Sequence, residues 1–510
     1  MAKICLPPLS DYTVQKADST AGSSADTVTR LYEVTLITAM MGGGVSKGQA
    51  DADKPFRADS IKGQWRHWWR VLARAGCFDG ANSSLSALDA NGLRSLESAL
   101  WGNLEAQGPK KSRIGLAIRS CNAAAPVVLS QFQQLCFDSE RVLNPLKSDL
   151  MTAYFPAEAS DNRGLCSFTL PGGGFTMEAK FPKAHQAELE LVISVWATLG
   201  GLGARTRRGA GAVEVFCVEG AQRHLLNALV DHPKALGLGF KCCVRPVNFA
   251  ANVATALQAA TAQGPVQLQP LMAHIDALGR MRRFRQGKAD SGPGGPLVVR
   301  SGTHPGRSAW PEPDMIRRTT GLAYTNIPAR TARNDRQLAA ARRDHTPVHS
   351  AGNFAPRAAF GMPLLIKFHD QQIHSSMVTG WRQPTHLDVA HFDPATRTLT
   401  PNLHNVDRMA SPVILRPVAF ARNGGIQYKA VAALILQHPF RQVQSVKVAS
   451  QDPASAAIQT PVWNPAWNRP AATAAPVPIA ALALPIAHGA PCPQVTSAVD
   501  AFMNYFAQQP

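Results

Sequence analysis

Apolar positions alternate like those of a strand near the start of the chain and then change to a helical spacing. Residues 31–40 (LYEVTLITAM) combine apolar and β-branched residues in strand-like alternation, which the glycines at 42–44 end. From Ser60, the run SIKGQWRHWWRVLARAG places apolar residues three and four positions apart. This spacing predicts a helix with Ser60 as its N-cap and an end near Gly76, and a second helix follows over 85–100.

Strand and helix patterns continue to alternate up to about residue 220. SRIGLAIRS predicts a strand, LCSFTLPGGGFTMEAKF predicts two strands around a glycine turn, AELELVISVWATLG predicts a helix and AVEVFCV predicts a strand. The order of strand, helix, strand, strand, helix and strand is that of a ferredoxin-like (RRM-type) unit. We therefore predict such a domain over 30–220, with insertions, after an irregular lead-in at 1–29.

The second half of the chain allows a further sheet-containing domain of similar type, over 221–449. Helices are predicted at 222–231 and 271–284, a Gly- and Pro-rich loop at 291–313, and strands in MPLLIKF, SPVILRPVAF and IQYKAVAALIL. The remainder, 450–510, is a Pro- and Ala-rich tail that cannot hold a regular core, although VTSAVDAFMNYFAQ predicts a short terminal helix that docks elsewhere. The predicted fold class is α+β.

The charge balance points to a polyanionic partner. The 510 residues contain 52 Lys plus Arg against 34 Asp plus Glu, a net charge of +18, which suits nucleic acid or an anionic membrane surface. With 45% hydrophobic and 17% charged residues, a fully disordered or collagen-like chain is excluded. No run approaches the 18 or so apolar residues of a membrane span, and the N-terminus does not resemble a secretory signal, so we expect a cytoplasmic protein.

The nine cysteines show no metal-binding pattern. They are scattered without a CxxC pair, and the adjacent Cys242 and Cys243 make neither a loop disulfide nor half a zinc site. We expect reduced, mostly buried thiols, and no metal or cofactor is predicted.

The helix that begins at Ser60 carries both a core stripe and candidate phosphate ligands. The stripe, three and four residues apart, consists of Trp65, Trp68, Trp69 and Leu72. Arg66, Arg70 and Arg74 form a row on another face, which is often merely solvated. Free amides at residues 61–63, the charge of Lys62 and the small Gly63 would let a nucleic-acid backbone approach the positive end of this helix.

A glycine-rich loop, GGLGARTRRGAG at 200–211, is the second basic element. Its five glycines and three arginines would allow close main-chain approach and bidentate phosphate contacts, although a flexible loop with solvated arginines explains the composition equally simply. It lacks the GK[ST] ending of a Walker loop and is not a GxGxxG after a strand. The candidate ligands here are Gly201, Gly203, Arg205, Arg207 and Arg208.

A third basic stretch extends from Asp276 to His345 and includes RMRRFRQ and MIRR. Its candidate RNA ligands are Arg282, Arg283, Arg285, Arg317 and Arg318. Phe284 and Trp310 could stack on bases, but an aromatic residue beside arginines is more often part of the core.

Catalytic signals are weak. His67, His185 and His349 could each act as a general acid or base, but none has a partner recognisable in the sequence. The His369–Asp370 dipeptide lacks further metal ligands at a recognisable spacing, and GxSxG and HExxH motifs are absent. We predict no catalytic residues.

SIKGQWRHWWR followed by GGLGARTRRGAG resembles the RAMP superfamily of CRISPR systems, in which a ferredoxin-like fold carries a glycine-rich loop near its C-terminal end. More closely, FRADSIKGQWRHWWR, SAWPEPDMIRR, RAAFGMPLLIKF and RMASPVILRP are similar, in the expected order, to the family of the first subunit of the Cmr module of type III-B effector complexes. These motifs span residues 56–417, so 1–29 and the tail lie outside the resemblance.

The resemblance implies two tandem RAMP domains and a place beside another RAMP subunit, at the end of the complex that holds the 3′ part of the guide RNA. There the subunit would help to capture target RNA without cutting it, since target cleavage belongs to the backbone subunits and cyclic oligoadenylate synthesis to the large subunit. The resemblance assigns RNA contacts to Lys62, Arg66 and Arg70, to Arg205, Arg207 and Arg208, and to Arg317 and Arg318.

Two alternatives stay open on the sequence. Related RAMP proteins are metal-independent endoribonucleases that process CRISPR transcripts with a histidine near the first strand, and His67 is the candidate for that role here. A general basic RNA-binding protein outside CRISPR would bind RNA without partners, which the set of four motifs disfavours.

Overall fold

The computed structural model describes residues 26–45, 48–79, 85–103, 109–137, 143–154, 166–220, 222–224, 237, 239–262, 264–286, 360, 364–366, 385–393, 398–400, 411–422, 425–436, 445–450 and 498–507. The predicted loop at 291–313, the candidate ligands Arg317 and Arg318, and the residues Trp310, His349, His369 and Asp370 lie outside these ranges.

The first half contains eight strands and five helices among the residues described. The strands are β1 (Thr27–Leu36), β2 (Met40–Met41), β3 (Gly115–Asn122), β4 (Val127–Val128), β5 (Ser167–Thr169), β6 (Gly174–Pro182), β7 (Val213–Cys217) and β8 (Gln222–Arg223). The helices are α1 (Ala58–Arg74), α2 (Ala90–Trp101), α3 (Leu129–Phe137), α4 (Asn144–Tyr154) and α5 (Gln186–Leu199).

The main sheet of this half confirms the predicted ferredoxin-like order. Its strands run β3-β6-β1-β7-β8, and every neighbouring pair is antiparallel. The central β1 pairs with β6 from Thr27 opposite Pro182 to Thr35 opposite Gly174, and with β7 from Tyr32 to Leu36. Helices α1 and α5 pack on one face of this sheet, which completes the strand–helix–strand–strand–helix–strand unit.

Two local predictions are wrong. The first strand begins at Thr27, inside the predicted lead-in, because β1 already pairs with β6 from Thr27 onward. Gln222 and Arg223 form β8 rather than the start of a helix, since they pair with Phe216 and Cys217. The two predicted strands around the glycine turn are present as β5 and β6, and β5 pairs with β2 and β4 in a separate small sheet.

The second half repeats part of the same order. Its strands are β9 (Phe240–Arg245), β10 (Leu364–Ile366), β11 (Thr385–Asp393), β12 (Thr398–Thr400), β13 (Val413–Arg422), β14 (Gly425–Ile435) and β15 (Ser445–Ser450). Its helices are α6 (Ala251–Thr261), α7 (Leu268–Gln286) and α8 (Ala498–Ala507).

Strands β13, β14 and β9 form a three-stranded antiparallel sheet in that spatial order. With α7 after β9 and α8 after β14, the described residues follow the strand–helix–strand–strand–helix part of a second ferredoxin-like unit. A separate sheet places β11 in antiparallel pairing with β10, β12 and β15. The structure is thus of the predicted α+β class.

The three-stranded sheet lies between two helical layers. Ile414 and Val431 face the core that α1 and α5 share with the first sheet, and Leu415 and Ala432 on the opposite face meet α7 and α8. This alternation follows from the period of two along a strand. Phe240 of β9 packs edge-to-face on Trp68 with ring centroids 5.8 Å apart, so the two halves share one continuous core.

The predicted terminal helix is present as α8, and its apolar face docks on the second half. Phe502, Met503 and Phe506 are buried, and the Phe502 ring lies 5.3 Å from that of Phe284. Phe284 is 4% exposed, which confirms its assignment to the core rather than to base stacking.

None of the helices in the described ranges combines the length and apolar character that a membrane crossing requires. None of the cysteines in those ranges forms a disulfide.

Candidate nucleic-acid interface

Helix α1 begins one turn earlier than predicted. Its N-cap is Arg57 in an extended conformation, and Ile61 already donates its amide N–H to the carbonyl of Arg57 at 3.2 Å. Ser60 therefore lies within the first turn, and the prediction that the amides of residues 61–63 are free is wrong. The amide groups without an intrahelical acceptor belong to residues 58–60, where Asp59 contributes a carboxylate.

The tryptophan stripe of α1 is core, as predicted. Trp65, Trp68 and Trp69 are each no more than 5% exposed. The Trp65 ring lies edge-on to Trp196 of α5 at 5.9 Å, and the Trp69 ring nitrogen donates to Glu188 at 3.2 Å. Burial of this stripe fixes the rotation of α1, so that Lys62 and Arg66 turn away from the core.

A cleft of about 780 Å³ opens beside the first half of α1. It has three walls, made by α1, by the end of α2 and by the segment that leads into β3. The lining residues are Asp59, Lys62, Arg66, Arg94, Ser98, Trp101, Gly102, Asn103, Lys110, Lys111 and Ser112. Five cations and one carboxylate line this space, which we call the basic cleft.

Helical spacing produces two of its walls. Lys62 and Arg66 lie four residues apart on α1, and Arg94 and Ser98 lie four apart on α2, so each pair shares one helix face. Asp89 fixes the start of α2, because its carboxylate accepts the amide N–H of Gly92 at 2.7 Å.

Backbone hydrogen bonds hold the third wall. Asn103 and Lys110 exchange N–H···O bonds of 3.0 and 3.1 Å, and Arg113 donates its amide N–H to Leu100 at 3.0 Å. Gly102 has φ 81°, and a Cβ there would stand 2.6 Å from the carbonyl oxygen of Lys110. Only glycine fits this approach, which places Lys110 and Lys111 at the rim.

Glu97 of α2 orders the arginine row. This buried carboxylate forms an ion pair with Arg66 and a second one with Arg70, whose Nε lies 3.2 Å away. Two guanidinium groups therefore share one negative charge, and the group keeps a net charge of +1. Arg66 and Arg70 are thus fixed in place by the protein before any ligand arrives.

The pKa of Lys62 is lower than that of an exposed lysine. Partial burial and the neighbouring Arg66 lower the pKa of Lys62, and Asp59 acts in the opposite direction. Gly63 lies on the exposed side of α1, where an added Cβ would meet no atom within 4 Å, so the packing of the protein does not require glycine there.

The glycine-rich loop is folded tightly against the protein itself. Leu202 and Ala204 donate their amides to Gly211 and Met41 at 2.8 and 2.9 Å. A Cβ on Gly211, at φ 62°, would lie 1.9 Å from the carbonyl oxygen of Leu202, and one on Gly201 would lie 2.7 Å from that of Gly211. These two glycines therefore serve the close approach of the chain to itself.

Residues from the second half lock this loop. The guanidinium of the fully buried Arg416 donates to the carbonyl of Gly200 and, at 3.1 Å, to that of Ala197, which caps the C-terminal end of α5. His274 lies with Nε2 2.6 Å from the carbonyl oxygen of Arg208. Burial lowers the pKa of Arg416 to about 9 and that of His274 to about 4.

The three loop arginines differ in their surroundings. Arg205 is exposed and adopts φ 65°, an uncommon conformation for a residue other than glycine. Arg207 donates to the carbonyl of Ser411, and desolvation lowers its pKa. Desolvation, with the charge of Arg205 in second place, also lowers the pKa of Arg208 to about 10. Gly203, at φ 72°, stands on the exposed side beside Met40 and Met41.

The arginines of α7 take part in ion pairs within the fold. Arg282 Nε lies 2.5 Å and Arg283 Nη1 3.7 Å from the two carboxylate oxygens of the buried Asp149 on α4. Arg285 is half-buried at the end of α7. These contacts give Arg282 and Arg283 a structural role, and their predicted RNA contacts stay predictions.

Of the catalytic candidates, His67 lies on α1, the helix that forms one wall of the basic cleft. Its ring lies edge-on to Trp68 at 5.3 Å. Desolvation, followed by the charges of Arg207 and Arg70, lowers the pKa of His67 to about 4, so the imidazole is neutral at pH 7. His185 contacts Glu188 at 3.3 Å. In the described part of the chain, no group of three or more His, Cys, Asp or Glu side chains is placed to hold a metal ion.

The face of the first sheet that points away from α1 and α5 carries charges of both signs. Glu33, Glu178 and Glu214 alternate along β1, β6 and β7 with the buried residues of those strands, and Lys180 lies on the same face of β6. Arg119 forms an ion pair with Glu178 at 2.8 Å, and Tyr428 donates its hydroxyl to Glu214 at 3.0 Å. This face therefore has no comparable cluster of cations among its described residues.

Arg94, Lys110 and Lys111, which line the basic cleft, were not among the candidates from the sequence. The Lys110–Lys111 pair is visible in the sequence, and Arg94 precedes Ser98 at helical spacing. Their distance in sequence from Lys62 gave no sign that they share one cleft with it.

Comparison with known proteins finds a family match within the first half. The family model of the RAMP superfamily matches residues 33–214. Among solved structures, the chain is similar to the crystal structure of Cmr1 from Pyrococcus furiosus in its apo form, at 18% sequence identity and a TM-score of 0.28, covering 51% of this chain and 74% of that one. No curated protein matches the chain.

Proposed function

We propose that this chain, whose residues 33–214 form a domain of the RAMP superfamily, is a non-catalytic RNA-binding subunit of a type III-B (Cmr) CRISPR effector complex. It would act in the cytoplasm at the 3′ end of the guide RNA and help to capture target RNA for antiviral defence. Its partners would be the guide RNA, the target RNA and the other Cmr subunits, above all a neighbouring RAMP subunit.

The observation that carries this proposal is the basic cleft on the helical side of the RAMP domain. Its lysines and arginines are oriented by the fold, and they belong to a chain with a net charge of +18. A guide–target duplex is recognised through its backbone and shape, while base pairing reads the sequence. Such a subunit needs ordered cations rather than side chains that read bases, and the cleft supplies them.

The assignment to the Cmr module is supported by the four sequence motifs. It is also supported by contacts between one of these motifs, RMASPVILRP, and the glycine-rich loop. RMASPVILRP provides Arg416 and Ser411, which bind the end of α5 and Arg207 of the glycine-rich loop. This motif therefore connects the second half to the RAMP loop. Two tandem RAMP domains would need this connection to hold a fixed relative orientation.

A processing endoribonuclease is the alternative. His67 is neutral at pH 7, as a general base must be, but its ring packs on Trp68 and it is surrounded by arginines. The cations of the basic cleft favour a binding role over this alternative.

Binding and cleavage should be scored together on the full chain. End-labelled CRISPR repeat–spacer RNA and guide-length RNA are incubated with the purified protein, without metal, over a series of salt concentrations. We expect binding that weakens as salt rises and no cleavage, with co-purification of the chain when other Cmr proteins are co-expressed. Cleavage within the repeat that His67→Ala abolishes would show a processing nuclease instead.

A further inference from the structure

We infer that the basic cleft binds a single strand of RNA through its sugar–phosphate backbone. The cleft holds about two nucleotides of that strand at a time and does not read their bases. This inference rests on the proposed RNA-binding function and identifies the site and the form of RNA that occupies it. The residues that carry it come from three separated segments, represented by Lys62 on α1, Arg94 on α2, and Lys110 with Lys111 before β3.

The charge of the cleft selects an anion. Lys62, Arg66, Arg94, Lys110 and Lys111 surround one space, opposed by the carboxylate of Asp59. Exposed lysines at the rim act as point charges, and Arg66 presents a planar guanidinium, a combination that suits phosphodiester oxygens. Ser98, Asn103 and Ser112 add neutral hydrogen-bonding groups in reach of sugar hydroxyls.

The size of the cleft selects a single strand. Clefts of roughly 300–1,000 Å³ hold one drug-sized molecule, and about 780 Å³ admits roughly two nucleotides. A double helix could present the backbone of one strand to the opening but could not enter between α1, α2 and the wall that Lys110 and Lys111 form.

The described lining of the cleft has no exposed aromatic ring on which a base can stack. Its aromatic residue, Trp101, is 3% exposed, so the indole ring belongs to the core. Stacking on exposed aromatic faces is the usual basis of base contact in single-stranded RNA recognition. Contacts in this cleft are therefore to the backbone, and binding does not depend on sequence.

Part of the charge of the cleft is ordered before RNA arrives. Glu97 holds the Arg66 guanidinium, and the paired backbone hydrogen bonds between Asn103 and Lys110 fix the main chain of the rim. A preorganised cation loses less conformational entropy on binding than a flexible one.

The test compares two matched lysine pairs in the full chain. Fluorescence anisotropy follows a labelled guide-length single strand and the corresponding duplex over a salt series. The cleft variant is Lys110→Ala/Lys111→Ala, and the control is Lys180→Ala/Lys183→Ala, which removes two exposed lysines that do not line the cleft. A melting curve for each variant establishes that it is folded.

We expect the cleft pair to lower single-strand affinity about tenfold and to reduce the salt slope by about 1.4, the value for two lost phosphate contacts, while the control stays within twofold of wild type. The loss should be smaller for the duplex. Asp59→Asn, which removes the opposing carboxylate, should raise affinity for the single strand.

Three results would overturn the inference, and they differ in meaning. If wild-type protein binds no RNA, the proposed function fails as well. If wild type binds but the cleft pair behaves like the control and Asp59→Asn changes nothing, RNA binds elsewhere and the function stands. If adenosine monophosphate displaces the single strand at an equal concentration of nucleotide, the cleft is a mononucleotide pocket rather than a backbone site.

Discussion

The glycine-rich loop and the basic cleft are both rich in cations and lie in the same domain, but they direct their charges differently. In the loop, Arg207 reaches the carbonyl of Ser411, and the Arg208 carbonyl is bound by His274. In the cleft, Lys110 and Lys111 are exposed on a wall that hydrogen bonds hold open. The loop connects the two halves, while the cleft is open to solvent.

This difference shows that the groups packed against a basic segment decide whether its cations bind the protein or face solvent. The loop contacts β13, whose Arg416 and neighbouring backbone occupy its polar groups. Behind the cleft is one buried carboxylate, Glu97, which holds two guanidinium groups without neutralising both. Surplus positive charge is therefore available in the cleft.

The largest expected effect is a loss of stability when the glycine-rich loop loses its anchor, Arg416. Arg416→Met keeps the length of the side chain but removes two charge-assisted hydrogen bonds to the carbonyls of Ala197 and Gly200. At about 1.5–3 kcal/mol for each bond, we expect a loss of at least 3 kcal/mol in the free energy of unfolding. Chemical denaturation measures it, with the exposed Arg74→Ala as a control that changes stability by less than about 0.5 kcal/mol. A stable Arg416→Met protein would show that the loop is not anchored this way.

A second prediction sharpens the role of Glu97. Arg66→Ala/Arg70→Ala was expected from the sequence to weaken RNA binding and leave the fold intact, but the structure shows that it would also leave Glu97 buried without its cations. Because both arginines are partly exposed, we expect a loss on the order of 1–2 kcal/mol. Adding Glu97→Gln should restore most of the stability but none of the RNA affinity. Equal stability of the double and triple variants would contradict this account.

A third prediction is that pH changes the stability that His274 gives at the glycine-rich loop but not the RNA affinity of the basic cleft. Burial lowers the pKa of His274 to about 4, below the value of about 6.5 in an unfolded chain. Between these values the unfolded state binds more protons, so this contribution to stability is complete above pH 6.5 and declines as the pH falls toward 4.

The melting temperature should therefore be lower at pH 5 than at pH 7.5, and His274→Gln should reduce that difference. RNA affinity per folded molecule at constant ionic strength should change little, since none of the described residues that line the cleft is a histidine. A melting temperature with the same pH dependence in wild type and His274→Gln would remove His274 from this role.

The smallest expected effect concerns Gly63. An alanine there meets no atom within 4 Å and replaces a glycine inside α1, so Gly63→Ala should stabilise the protein by about 0.5–1 kcal/mol. Unchanged RNA affinity would show that Gly63 lies outside the interface, whereas an affinity loss in the more stable protein would support the predicted phosphate contact. Thermal melting and anisotropy measure the two quantities.

Local patterns were sufficient to predict much of the fold. The strand and helix periods gave the ferredoxin-like order, and the spacing of Trp65, Trp68 and Trp69 gave the buried face of α1. The start of α1 was wrong because Ser60 is a good N-cap, yet the carbonyl of Arg57 already accepts the Ile61 amide. Capping preference is a weak signal where a preceding residue can begin the helix.

The interface was harder to predict because its determinants are distant in sequence. The glycine-rich loop has a composition that suits phosphate binding, but Arg416 and His274, which lock it, lie more than 60 residues away. The local sequence around Arg94 and Lys110 does not mark them as part of a site. They join the basic cleft only because folding brings α2 and the segment before β3 beside α1. Residue type alone could not separate cations that anchor the fold from those that face RNA.

Photo-crosslinking tests the central claim most directly. The full chain is bound to single-stranded guide-length RNA carrying 4-thiouridine, irradiated, digested and examined by mass spectrometry for cross-linked peptides. We expect crosslinks in the segments that line the basic cleft, residues 58–74, 90–103 and 109–113, and their loss at high salt. Crosslinks confined to the glycine-rich loop at 200–211 or to the strands of the outer sheet face would contradict the account.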